Sequence, residues 1–97
     1  GNKVKEYREY LGMSQRWLAR KVGCGKTTIS EVERGRLPNV VTAIKIARAL
    51  ETTVEKLWED ENEDEEWRAY LRREIERLLD EASEQKLRLT LALLRAA

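Results

Sequence analysis

SQRWLARKVGCGKTTISEVERGR, residues Ser14 to Arg36, is the stretch in which the hydrophobic spacing breaks at one point and resumes in a fixed phase. Ser14 is placed to cap a helix carrying Leu18, Ala19 and Val22 on one face. Gly23 stops that helix, because glycine enters a left-handed C-terminal turn without steric penalty. Lys26 opens a second helix with Ile29 and Val32 inward, and Ala19 is small enough for the two helices to meet at a steep angle. The spacing therefore predicts a helix-turn-helix. Its second helix turns Lys26, Thr27, Ser30, Glu31 and Arg34 away from the core, and a polar helix face of that size fits the major groove of DNA.

The flanking segments extend the pattern. Lys3 to Leu11 predicts a helix with Val4, Tyr7 and Leu11 on one side, ended by Gly12. Arg34 to Pro38 predicts a loop, after which Asn39 caps a helix through Val40, Ala43, Ile44, Ala47 and Leu50. Thr52 or Thr53 caps a fifth helix, where Val54, Leu57 and Trp58 close the core. Residues 1–58 are thus expected to form a five-helix domain within an all-α chain.

The joint spacing of Leu18-Ala19, Val22-Gly23, Ile29-Ser30 and Glu33-Arg34-Gly35 carries a resemblance. With Arg8, Gly12, Ser14-Gln15, Pro38, Ile46-Ala47, Ala49-Leu50 and Leu57, it resembles the lambda-repressor/Cro-like (Xre) family of helix-turn-helix regulators from about Val4 to Trp58. The resemblance implies a lambda-repressor-like DNA-binding domain whose second motif helix meets base edges through Lys26, Thr27 and Glu31, with Ser30 beside them. Lys26 can donate to guanine, the Thr27 methyl can pack on thymine, and Glu31 can accept from cytosine N4. A carboxylate near phosphates is repelled, so Glu31 either reads cytosine or pairs with a neighbouring cation such as Lys26 or Arg34. The resemblance further places Gln15 against phosphate at a helix N-terminus. Arg34 and Arg36, flanking Gly35 in the loop that would follow the backbone, are expected to contact phosphate, with Asn39 adding a contact and Arg16 and Arg20 carrying less weight. Arg8 and Glu33 match a family pair that forms an internal salt bridge, and their expected role is structural.

Charge is divided unevenly. Residues 1–58 hold 12 Lys/Arg against 6 Glu, a surplus of +6, whereas residues 59–97 hold 7 against 12 Asp/Glu, a deficit of −5. The basic part can bind a polyanion such as double-stranded DNA, and the acidic part is expected to point elsewhere. Residues 59–66, EDENEDEE, read as an acidic linker, either a solvated spacer or a phosphate mimic competing for the basic face.

Residues 67–97 are expected to form a helical hairpin for oligomerisation. Apolar residues at 67, 71, 75, 78, 79 and 82 make a helical stripe, and Ser83 can cap a further helix through Leu87, Leu89, Leu91, Leu93 and Leu94. A helix apolar on nearly every side needs a partner. The candidate contact residues are Trp67, Leu71, Leu78, Leu87, Leu91 and Leu94, and the expected assembly is a homodimer or a tetramer. Folding of the hairpin back onto the first domain is the alternative. This layout weakly resembles SinR-type repressors.

The expected function is that of a sequence-specific transcriptional regulator, a repressor on a two-fold operator. The rival is an antitoxin or adaptor whose hairpin binds a different protein. The single cysteine, Cys24, excludes an intramolecular disulfide, and with no histidine there is no metal site, no cofactor and no catalytic constellation to expect. Without a signal peptide or an apolar run of membrane-spanning length, the chain reads as cytoplasmic and nucleoid-associated.

Overall fold

The structure is a computed structural model that describes residues 2–59 and 65–96. It contains α1 (Val4–Tyr10), α2 (Gln15–Val22), α3 (Lys26–Glu33), α4 (Val40–Ala49), α5 (Val54–Leu57) and α6 (Glu65–Ala96), with no strand among the described residues. The chain divides into two compact units, residues 1–65 and 66–97.

In the first unit, α2, α4 and α5 each start at a side-chain cap. The Ser14 hydroxyl accepts the Trp17 N–H at 3.0 Å, the Asn39 side chain accepts the Thr42 N–H at 2.9 Å, and the Thr53 hydroxyl accepts the Lys56 N–H at 3.3 Å. These caps satisfy N–H groups that helices of this length leave without intrahelical partners. Of the two threonines open to the role before α5, Thr53 takes it. Gly23 ends α2 at φ +83°, and the N–H groups of Gly23 and Cys24 both donate to the Ala19 carbonyl at 2.8 and 3.0 Å.

No helix of seven to ten residues is stable alone, so the core supplies the stability. Leu18, Ala19 and Val22 of α2 are buried, as are Ile29 and Val32 of α3 and Val40, Ala43, Ile46 and Ala47 of α4, with Val4 from α1 and Leu50, Leu57 and Trp58 completing the set. The buried apolar side chains of α2 and α3 are all small or aliphatic, and α3 turns its opposite, polar side outward. The Lys3 N–H donates to the Leu57 carbonyl at 2.9 Å, so the first and last elements of the unit are hydrogen-bonded to each other.

The C-terminal segment departs from expectation. Instead of a two-helix hairpin opening at Trp67 and turning near Ser83, residues Glu65–Ala96 form one continuous helix of 32 residues. Serine alone does not break a helix. Neither glycine nor proline occurs in this span, and Ala82, Glu84, Gln85, Lys86 and Leu87 all favour helix, so the intrahelical ladder runs through Ser83. Glu65 and Glu66, assigned to the acidic linker by sequence, are the first turn of α6. The remainder of that linker, apart from Glu59, lies outside the described residues. Surface ion pairs Arg77–Glu74, Arg77–Glu81 and Arg88–Glu84 run along α6 at helical spacing. Because successive residues turn by roughly 100°, Leu87, Leu91 and Leu94 fall on one side of α6 and Leu89 and Leu93 on the opposite side. All five are exposed. Among the described residues no helix is long and apolar enough to cross a membrane.

Two outcomes are expected. Gly23→Ala meets no heavy atom within 4 Å, so its cost is conformational only, about 1–2 kcal/mol in urea unfolding, from forcing a Cβ into the left-handed region. Truncation after Trp58 should leave a domain that melts cooperatively by far-UV circular dichroism, because every cap and buried pair of residues 2–58 is retained. The Lys3–Glu59 ion pair that it removes is solvent-exposed and contributes little.

Candidate nucleic-acid interface

α3 is a helix of mediocre intrinsic propensity, with Thr27, Thr28 and Ser30 in its first five positions, and it stands because Ile29 and Val32 are anchored. Lys26 and Thr27 are exposed, and Ser30 and Glu31 are half-buried on the same outward side. Side chains at 27, 30 and 31 share a face by their spacing, with Lys26 one position ahead of Thr27 and one turn before Ser30. The structure thus brings all four sequence-predicted base-reading residues onto one polar ridge.

The C-terminal end of α3 is fixed by a buried ion pair. The Arg8 guanidinium donates through Nε to Glu33 Oε2 at 2.7 Å and through Nη2 to Glu33 Oε1 at 3.1 Å, and through Nη1 to the Met13 carbonyl at 2.7 Å. The two side chains are 10% and 5% exposed. The hydrogen bonds to Glu33 and the Coulomb field of the carboxylates outweigh desolvation and raise the Arg8 pKa above its already high ordinary value. Gln15 joins this pair, its Nε2 donating to Glu33 Oε1 at 3.1 Å. Sequence reasoning assigned Gln15 to phosphate alone and missed this contact, for which no local signal exists because the partners are 18 residues apart. The Asn2 amide also donates to the Val32 carbonyl at 2.7 Å, a second tie between the start of the chain and α3.

Beyond α3 the chain turns at Gly35, whose φ of +112° suits glycine. The Gly35 N–H donates to the Val32 carbonyl at 3.0 Å and the Arg36 N–H to the Glu31 carbonyl at 3.0 Å. Arg34 and Arg36 flank this turn and are exposed, and Asn39 follows at the start of α4, its side-chain oxygen engaged as a cap and its amide N–H groups left for other use. Glu31 pairs with Arg36 rather than with Lys26 or Arg34, the two neighbours that sequence proximity pointed to.

Cys24 lies half-buried in the turn between α2 and α3, and desolvation pushes its thiol pKa up, which disfavours the reactive thiolate at neutral pH. No group of His, Cys, Asp and Glu able to hold a metal ion occurs among the described residues. Of the six oligomerisation candidates, Trp67, Leu71 and Leu78 lie in the first half of α6 and Leu87, Leu91 and Leu94 in the second.

Against this geometry, residues 4–57 match the helix-turn-helix family HTH_3. The chain belongs to this family, the Xre-type helix-turn-helix proteins of lambda-repressor-like fold. Relatives include an uncharacterized HTH-type transcriptional regulator of Methanothermobacter thermautotrophicus, 44% identical over 48 residues that make up 48% of this chain and 70% of the relative. YgzD of Bacillus subtilis, also an uncharacterized HTH-type transcriptional regulator, is 38% identical over 64 residues, 63% of this chain and 97% of the relative. Among solved structures, a chain of the SinR protein/SinI protein complex is similar with a TM-score of 0.57 and 27% identity, covering 87% of this chain and 94% of that one.

Removing either partner of the Arg8–Glu33 pair strands a buried charge. Arg8→Ala and Glu33→Ala are each expected to cost about 3–5 kcal/mol in urea unfolding, and the double variant to cost less than the sum of the two. Additive losses in a double-mutant cycle would contradict the coupling.

Proposed function

We propose that the chain is a sequence-specific DNA-binding transcription regulator that represses by occupying a two-fold operator as a homodimer. One observation carries this reading: the outward polar ridge of Lys26, Thr27, Ser30 and Glu31 on α3, in a unit whose loop after α3 adds Arg34 and Arg36 and whose sequence holds a cationic surplus of +6 over residues 1–58. Lys26 donates to guanine O6 or N7, the Thr27 methyl packs against thymine, and Ser30 adds an adaptable hydroxyl. Gln15, Arg34, Arg36 and Asn39 hold the register by contacting phosphate. Gln15 has one amide hydrogen committed to Glu33, which leaves its second for a phosphate oxygen. Arg8 and Glu33 act on DNA only through the posture of α3.

Dimerisation rests on α6. Leu87, Leu89, Leu91, Leu93 and Leu94 are between 43% and 68% exposed, an apolar load that a second copy would cover. The same leucines also support a second reading, in which α6 binds a different protein; the similar solved structure is itself a complex of two proteins, SinR and SinI.

Affinity for DNA is expected to fall steeply with salt, and a log–log slope near zero would rule out use of the basic surface. Lys26→Ala and Thr27→Ala should each change the preferred bases in sequences selected from random DNA, at about 1–3 kcal/mol per half-site. Leu91→Glu with Leu94→Glu should convert a dimer to a monomer in sedimentation and weaken operator binding by orders of magnitude, because the two half-sites lose their linkage. If wild type and double variant both sediment as monomers, the leucines serve a different protein.

A further inference from the structure

Glu31 is the member of the α3 ridge that fits poorly with a simple cationic interface, since a carboxylate aimed at DNA is repelled by the phosphates on either side of the groove. The turn after α3 resolves the conflict. Gly35, in the left-handed region, reverses the chain so that the Arg36 N–H returns to the Glu31 carbonyl at 3.0 Å while the Gly35 N–H bonds the Val32 carbonyl. In a helix ending of this kind the side chain after the glycine meets the one three positions inside the helix end, commonly through an apolar contact. Here the two residues are Arg36 and Glu31, and the contact is an ion pair between Arg36 Nη1 and Glu31 Oε2. An exposed ion pair contributes little stability. The backbone hydrogen bonds of the turn nevertheless bring residue 36 beside residue 31, and the pair is formed without DNA.

We propose that Arg36 is a positioning residue for base recognition, holding one carboxylate oxygen of Glu31 so that the other accepts a hydrogen bond from the exocyclic amine of a cytosine in the major groove. The inference rests on the DNA-binding reading above and deepens it. A guanidinium has five N–H donors in a planar fork, so Nη1 can hold Glu31 while the others reach a phosphate oxygen. Arg36 thereby cancels the charge that would repel Glu31 from the groove, and restricts the rotation of its carboxylate. Phosphate contact and base reading are joined in one side chain, and a residue placed on the backbone side of the interface takes part in sequence choice.

The test compares bound-sequence selection from random double-stranded DNA, with the affinity of the selected site, for the full chain and for Glu31→Ala, Arg36→Ala, Arg36→Lys and the double alanine variant. Wild type should prefer cytosine at one position of each half-site by about tenfold, and Glu31→Ala should lose that preference. Arg36→Ala should lower affinity for all sequences and also reduce the cytosine preference at that same position at least threefold, by about the order of a single polar contact. Arg36→Lys keeps the charge but not the fork, so affinity should recover further than the preference does. The double variant should show no less preference at that position than Glu31→Ala. If Arg36→Ala and Arg36→Lys weaken binding while cytosine preference stays at the wild-type level, the proposal is overturned and Arg36 is a phosphate contact only. If Glu31→Ala retains the preference, the proposal also fails, but the DNA-binding reading stands. A wild-type protein with no preference for any sequence would defeat both.

Discussion

The bidentate pair between Arg8 and Glu33 is the interaction on which the orientation of α3 depends. One guanidinium spans α1, the turn at Met13 and the last residue of α3, and the carboxylate it holds also receives Gln15 from α2. Three helices are therefore referenced to a single buried charge pair. Aliphatic packing fills volume but tolerates sliding, whereas a planar fork on a carboxylate is satisfied in one orientation only. The desolvation of two charges makes this an expensive way to gain stability, and its contribution is better described as orientation: α3 is presented at one angle relative to the start of α2.

That arrangement allows α3 to be chemically demanding. A ridge of lysine, threonine, serine and glutamate has little reason to be helical by itself, and its two buried aliphatic residues and two end constraints compensate. The sequence of α3 is accordingly split into positions that obey packing and polar positions that packing leaves free.

The first five helices are legible in the sequence because their boundaries are written in local chemistry. Ser14, Asn39 and Thr53 act within three residues of themselves, and Gly23 acts on its own φ. The inward positions of Leu18, Val22, Ile29 and Val32 follow from helical period alone. The hairpin fails on the opposite ground: Ser83 can cap a helix, but nothing before it stops one, and a continuous run of helix formers overrides one serine. The polar face of the site was also legible, but its pairings were not. Glu31 with Arg36 and Gln15 with Glu33 depend on how the turn at Gly35 and the angle between α2 and α3 place side chains that sequence order leaves apart.

The bond from Lys3 N–H to the Leu57 carbonyl has a topological consequence. It brings the entrance and exit of the first unit side by side, and the neighbouring ion pair between Lys3 and Glu59 at 2.6 Å continues the seam. A domain whose ends meet can be cut open elsewhere and rejoined there by a short loop, or spliced into a surface loop of another protein through a narrow gap. The cut belongs in the connection between α4 and α5, away from the turns that hold α2 and α3, so a circularly permuted form would retain the whole polar ridge of α3 while moving both termini to a different edge.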